Sequence, residues 1–416
     1  MQFEQTKQTM KNRFTIFMIS ISLVGVVFTT SCKKDDKTDI KPETNNVEAI
    51  LKSLIDSTYD NYIAEYPGYI GGYAVQVLSK EGDGFYQRGM GDGLTNGVHF
   101  RGQSITKTFT AAGIVLLAER GLLNLKARII DTIPGISMPY IPATPEFDIP
   151  YKDEITIYQL LSHRAGVFDI PNDLINGVEY IDAVLDTAPD HHFTLEEMVA
   201  QISANQLSYF PPGTAWHYSN TGYFMLSRII ERVSGRSYRQ FLADEFVIPL
   251  GLTGTVFIDQ PTEITLPDPH VENWYWSEDL AFNTTEQNMT AYIGEGNMIT
   301  TPLDLSRFMR LLIRGEAGIS PMYVNNFMLD CRPESEIGAK RYGLGVEQLI
   351  NLGYGHGGDG MGTSVRTFSD PEKDFTITLF INVSNYKDGI ENESYLAEQQ
   401  LEVYNLLYLI KEAVNK

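Results

Sequence analysis

Cysteine is almost absent: Cys32 and Cys331 are the 2 cysteines in 416 residues. A fold stapled by several disulfides is therefore excluded. Basic residues are also scarce, 32 against 53 acidic ones, and the formal charge is −21. Nucleic acid needs a basic surface and is not an expected partner. The adjacent pair His191 and His192 cannot face one site and lacks metal-ligand spacing, so both read as solvated. No metal and no other cofactor is expected. No repeat of solenoid or propeller length appears.

What is present is an ample apolar supply, 43% of the chain. That suffices for one large core or two interleaved ones. The N-terminus has its own grammar. Lys7, Lys11 and Arg13 precede an apolar run from Phe14 to Phe28. The run is too short for a comfortable membrane span and suits a signal peptide. Thr29-Thr30-Ser31-Cys32 follows and resembles a bacterial lipoprotein cleavage site, with Thr29 where Leu is usual. The resemblance implies a signal peptide over 1–32, lipidation of Cys32 and anchoring in the cell envelope. Cys331 is then the one thiol left. Residues 33–46 are polar, without apolar periodicity, and read as a tether.

Val47 to Tyr66 has helical spacing, through Ile50, Leu51, Leu54, Ile55, Tyr59 and Ile63. Tyr73–Leu78 and Phe85–Met90 read as a strand pair around the turn Lys80-Glu81-Gly82-Asp83-Gly84. Ser104 to Arg120 reads as a helix with Gly121 just beyond it. That helix is apolar nearly all round after its first turn, so it is expected to be buried, with a cavity opening at its polar start. Further helices are expected at Thr156–Ser162, Thr194–Ala204, Asn220–Val233, Ser237–Glu245 and Pro302–Ile313. Strands Val365–Phe368 and Phe375–Val383 flank a turn, and Ser394–Val414 is a long amphipathic helix. The expected class is α/β: an antiparallel sheet flanked by N- and C-terminal helices, with a mostly helical insertion over about 125–315. One domain, 47–416, would carry both.

A serine hydroxyl needs a base before it attacks a carbonyl. Ser and Lys three apart on a helix share a face, so Lys107 can reach Ser104. Burial would lower the Lys107 pKa and fit it for proton transfer. Free backbone N–H groups at the helix start can stabilise an oxyanion. Ser-x-x-Lys alone is weak, because it also occurs at Ser31–Lys34 and Ser384–Lys387. Only Ser104–Lys107 opens a buried helix. Of the Tyr-x-Asn triplets at Tyr59, Tyr218 and Tyr323, the middle one follows Pro211-Pro212-Gly213-Thr214 and precedes a helix. Taken alone, Ser104 reads as a plain N-cap, and His163 reads as structural. Gly102-Gln103-Ser104-Ile105-Thr106 misses the last Gly of a nucleophile elbow. Trp274 and Trp276 are left outside the site.

Six segments in order resemble the serine β-lactamase-like superfamily, in its class C β-lactamase, DD-peptidase and esterase branch. They are Phe100–Phe109, Ile155–Gly166, Pro211–Gly213 leading to Tyr218-Ser219-Asn220, Pro249–Leu252, Gly294-Glu295-Gly296-Asn297-Met298, and Gly355-His356-Gly357-Gly358. The resemblance covers about 47–416. It implies a β-lactamase/transpeptidase-like fold and an acyl-enzyme on Ser104. Lys107 and Tyr218 would share the proton traffic, with the identity of the base open. Asn220 would hold Lys107 and the substrate amide. His356, Gly357 and Gly358 would form the third motif, and the backbone N–H groups of Ser104 and Asp359 the oxyanion hole. Class C enzymes usually carry Lys where this chain has His356, and His is a weaker fixed charge near neutral pH.

The expected function is a serine hydrolase of a small ester or amide, esterase-like or D-Ala-D-Ala carboxypeptidase-like, with weak or no β-lactamase activity. The alternative is a non-catalytic lipoprotein binding peptidoglycan fragments or a protein partner through the same cleft. The expected partners are a small ester or peptide substrate and, through the lipid, the outer membrane, its periplasmic or surface face. A monomer is expected.

Overall fold

The structure, a computed structural model, describes residues 47–277, 280–334, 340–386 and 394–416, without the side chains of 394–397. The signal peptide, Cys32 and the tether lie outside the described residues. Among the described residues six helices exceed ten residues: α1 Val47–Glu65, α2 Thr106–Glu119, α3 Leu195–Asn205, α4 Asn220–Ser234, α5 Pro302–Ile313 and α6 Ser394–Val414. Among the described residues no helix is long and apolar enough to cross a membrane.

Alternation of side chains across a strand explains the layering. In β1 (Tyr73–Ser79), Tyr73, Val75 and Val77 share a core with Leu51 and Ile55 of α1 and with Leu406, Leu407 and Ile410 of α6. Ala74, on the other face, belongs to the larger core with α2 and α5. A strand buried on both faces has helices above and below it. The terminal helices therefore cover one side of the sheet and the helical region the other, as the sequence led us to expect.

The remaining strands are β2 Gly84–Arg88, β3 Phe100–Arg101, β4 Val256–Phe257, β5 Trp274–Trp276, β6 Ala281–Asn283, β7 Met298–Thr300, β8 Arg332–Pro333, β9 Arg341–Tyr342, β10 Glu347–Leu349, β11 Gly353–Gly360, β12 Thr363–Asp370, β13 Phe375–Ile381 and β14 Val383–Asn385. The main sheet has the order β2-β1-β13-β12-β11-β10-β9-β8, antiparallel throughout. Chain ends thus meet at β1 and β13, where Tyr73 pairs with Ile381 and Ser79 with Phe375. Two three-stranded sheets, β14-β5-β6 and β3-β7-β4, lie apart from it. Trp276 of β5 is buried against Tyr69 at 5.5 Å, so this aromatic stretch serves packing.

Helix α2 is the axle of the molecule, with every residue from Thr106 to Leu117 buried. Phe109 stacks on Phe308 of α5, with ring centres 3.5 Å apart. Gly113 lets α4 come close: a Cβ there would lie 3.0 Å from Ile230 and from Phe241. Helix α5 starts where Thr301 accepts a hydrogen bond from the Asp304 N–H and Pro302 takes the first turn.

Candidate active site

The chain enters α2 through a sharp corner. Gly102 N–H donates to the Met298 carbonyl at 2.8 Å, holding the end of β3 against β7. Gln103 then takes φ 47°, a left-handed conformation rare for a residue with a side chain. Gln103–Ile105 forms a 3-10 turn, and the α-helix proper begins at Thr106. The helix expected from Ser104 onward is therefore split. The corner leaves Ser104 partly exposed, while Lys107, one turn on, is completely buried.

Lys107 Nζ lies 3.0 Å from Ser104 Oγ. The Ser104 side chain also neighbours the Tyr218 phenol and favours its ionised form. The Lys107 ammonium sits 4.8 Å from the centre of the Tyr218 ring. Serine, lysine and tyrosine therefore meet around one point. Tyr218 is brought there by a segment zipped onto residues 163–164. Gly213 N–H donates to the Arg164 carbonyl, His217 N–H to the His163 carbonyl, and Ser219 N–H to His163 Nδ1. The His163 ring lies 4.2 Å from the Tyr218 ring and backs it. Burial pushes the Tyr218 phenol well above its ordinary pKa. Burial also lowers Lys107, and Glu295 partly opposes that.

The partner of Lys107 differs from expectation. Its remaining hydrogen bonds go to the Glu295 carbonyl at 3.0 Å and to Glu295 Oε2 at 2.8 Å. Asn220 faces Asp169 instead, donating from its backbone at 2.9 Å and from Nδ2 at 3.2 Å. The reason is charge: a buried ammonium is better matched by a carboxylate than by an amide. Asn220 Oδ1 is buried without a protein partner. Asp169 is pushed up to about 8, by burial first and by the Glu295 carboxylate second.

Strand β11 forms the opposite wall. A Cβ on Gly358 would lie 2.6 Å from the Gly102 carbonyl oxygen and 3.1 Å from the Ser104 nitrogen. A glycine at 358 thus lets this strand run flush against the serine turn, where an oxyanion hole would form. Gly358→Ala is expected to slow acylation about 100-fold, the effect of losing one oxyanion donor, in protein that still unfolds cooperatively. Stopped-flow acylation of the variant checks this, and an unchanged rate would dismiss the wall. Asp359, whose N–H is the other expected donor, has its carboxylate clamped by Arg366 at 3.0 and 2.9 Å. A Cβ on Gly357 would meet the same Arg366 side chain at 3.1 Å.

His356 is buried and neutral. Burial brings its pKa down to about 4. Its Nε2 contacts the Tyr342 hydroxyl at 2.9 Å, and its Nδ1 faces the Gly357 carbonyl. A carbonyl only accepts, so the proton is on Nδ1 and Tyr342 donates to Nε2. Both ring nitrogens are occupied.

Tyr342, Asp169 and Glu295 were assigned no role from the sequence. Glu295 lies within a quoted motif, but nothing in the chain says that it reaches Lys107. The other two carry no signal at all. His191 is a correction: rather than being solvated, it is partly buried, with Nε2 2.9 Å from Glu197 and its ring against Phe193. The acidic first turn of α3 attracts it. Among the described residues no cluster of His, Cys, Asp and Glu fits a metal.

The Beta-lactamase family model matches residues 59–401. Penicillin-binding protein 4* of Bacillus subtilis is 28% identical over 246 residues, covering 54% of this chain and 48% of that protein. The chain thus spans about half the length of that curated relative. Two solved structures share the fold. A D-amino acid amidase from Ochrobactrum anthropi SV3 superimposes with TM-score 0.70 at 22% identity, over 88% of this chain and 99% of that one. A D-stereospecific amidohydrolase from Streptomyces sp. gives 0.68 at 23%, over 81% and 94%.

Proposed function

We propose, from the Beta-lactamase family to which this chain belongs, that it is a serine hydrolase forming an acyl-enzyme on Ser104 from a small ester or amide. One observation carries this reading: the partly exposed Ser104 hydroxyl lies 3.0 Å from Lys107 Nζ, and that nitrogen sits 4.8 Å from the centre of the Tyr218 ring. Ser104 Oγ attacks the carbonyl while its proton passes to Lys107 or Tyr218. The oxyanion is held by the N–H groups of Ser104 and Asp359. Collapse breaks the bond to the leaving group, which takes that proton back. Water then attacks the ester, and Ser104 regains its hydrogen. The unpartnered Asn220 Oδ1 is available to a substrate N–H.

The third motif narrows the leaving group. Neutral His356 offers no charge and no free N–H to a carboxylate. The cations beside it are already paired, Arg366 with Asp359 and Lys340 with Glu347 at 2.9 Å. An ester or amide with an uncharged leaving group fits this wall better than a free D-Ala-D-Ala carboxylate or a β-lactam. The amidase and amidohydrolase named above are consistent with that preference. The N-terminal sequence supports a lipid anchor at Cys32 and a place in the cell envelope.

A fluorophosphonate should add its mass to the peptide containing Ser104. In a panel of p-nitrophenyl esters, D-amino acid amides, acyl-D-Ala-D-Ala and its C-terminal amide, the amide should exceed the free acid in kcat/KM by about tenfold, the worth of one missing charge-assisted contact. Folded protein with no adduct and no turnover would sink the reading. A preference for the free acid would sink the leaving-group assignment.

A further inference from the structure

We infer that Glu295 is the positioning residue of Lys107, which rests on the hydrolase reading above: its carboxylate and its own carbonyl together aim the lysine nitrogen at Ser104. No role for Glu295 follows from the six matching segments, because Asn220 stood as the partner of Lys107.

The loop that presents Glu295 is fixed on each side. The Gly294 N–H donates to Asn297 Oδ1 at 3.2 Å, and Thr110 of α2 donates to the Gly294 carbonyl at 2.6 Å. Asn297 Nδ2 donates to the Ile258 carbonyl at 2.6 Å. Gly294 has φ +82°, and a Cβ there would lie 2.7 Å from the Tyr223 carbonyl oxygen. The loop has no room to slide, so both Glu295 oxygens stay on Lys107.

A lysine nitrogen has four tetrahedral corners, and one is its own Cε. The Glu295 carbonyl and carboxylate take two N–H bonds, because an unprotonated oxygen of either kind only accepts. The last corner points at Ser104 Oγ, 3.0 Å away. If it carries a lone pair, Lys107 accepts the serine proton and becomes an ammonium whose charge Glu295 offsets. If it carries a proton, Lys107 donates to Ser104 and Tyr218 takes the serine proton. In both cases the proton returns to the leaving group, and Glu295 itself neither gains nor loses one.

The groups facing Lys107 are few. Glu295, Asp169 and Glu347 favour its charged form. Tyr218 and Tyr223 present ring faces at 4.8 and 5.8 Å. His163 and His356 are buried and neutral. Glu295 is the carboxylate in direct contact, so removing its charge lowers the Lys107 pKa. Whichever limb of the pH–rate profile Lys107 governs must therefore move to lower pH.

The test compares wild type, Glu295→Gln and Glu295→Asp. Three readouts are taken: kcat/KM for a p-nitrophenyl ester from about pH 5 to about pH 10, the fluorophosphonate labelling rate, and the lysine 13Cε NMR titration of Lys107. Gln keeps the shape and an acceptor oxygen; Asp keeps the charge. Glu295→Gln is expected to slow labelling about tenfold or more and to lower both the kinetic limb and the NMR midpoint by about one pH unit. Glu295→Asp should slow labelling yet leave the midpoint near that of wild type. An unmoved NMR midpoint in folded Glu295→Gln, or an equal shift in both variants, overturns the assignment. Wild type that titrates as expected but never labels overturns the hydrolase reading and leaves the pairing standing.

Discussion

Ser104→Ala is expected to abolish fluorophosphonate labelling and to lower ester turnover about 10⁴-fold or more while leaving stability nearly unchanged. The two halves of that expectation have separate causes. Ser104 Oγ is the atom on which both Lys107 and Tyr218 converge, so no other group at that point can form the acyl bond. The stability half follows from exposure. Ser104 is only partly buried, and Lys107 keeps both acceptors on Glu295 when the hydroxyl is removed. Water can enter and replace the lost contact, so the cost should stay within about 1 kcal/mol. Thermal unfolding and labelling on one preparation check both. Retained turnover in the variant would move the chemistry elsewhere. A collapse in stability would make the serine a structural cap rather than a nucleophile.

The large elements were legible because burial writes a periodic pattern. Tyr73, Val75 and Val77 recur at the strand period of two on one face of β1, and the apolar girth of α2 announced a central helix. Strand β11 was not legible from pattern. It reads Gly353-Tyr354-Gly355-His356-Gly357-Gly358-Asp359-Gly360, and glycine weakens a strand. Only the family resemblance singled out His356, Gly357 and Gly358. The composition follows from position: a Cβ at 355 would strike the Thr367 carbonyl oxygen at 1.9 Å, and one at 358 the serine turn. Strands β3, β4 and β7 to β10 have two or three residues each, too short for any period to appear.

The site divides in the same way. Ser104 and Lys107 lie one turn apart, so helical geometry alone joins them. Glu295 meets Lys107 across 188 positions of chain, and no local rule connects them. Tyr342 reaches His356 from the neighbouring part of the sheet, through the register that sets β9 beside β10 and β10 beside β11. Neither contact has a spacing to read. The sequence motif made Asn220 the natural partner of Lys107, and only the packed interior shows that a carboxylate fills that place.

That carboxylate makes Lys107→Met the most revealing of the large effects. Lys107 is fully buried and the Glu295 side chain is 5% exposed. Methionine nearly matches lysine in volume, so packing is conserved and the change is one of charge. Glu295 loses its cation, and breaking a buried pair in this way costs about 3–5 kcal/mol. The pH dependence has a definite sign. Burial raises the Glu295 pKa, and without Lys107 nothing opposes that rise. A carboxyl whose folded pKa is raised is most stable below its unfolded pKa and loses stability as pH climbs through the folded value. The deficit of Lys107→Met should therefore be small near about pH 4 and widen toward about pH 8. Adding Glu295→Gln removes the stranded charge, so the double variant should recover to within about 1–2 kcal/mol of wild type and lose most of the extra pH dependence. Acylation should stay about 10³-fold down in both, because the group that meets Ser104 is gone in each. Denaturant unfolding across pH, with labelling rates on the same samples, separates the two roles of the lysine. Recovery of activity with stability would mean that the lysine only fills space. Failure of stability to recover would mean that the destabilisation never came from the unpaired carboxylate.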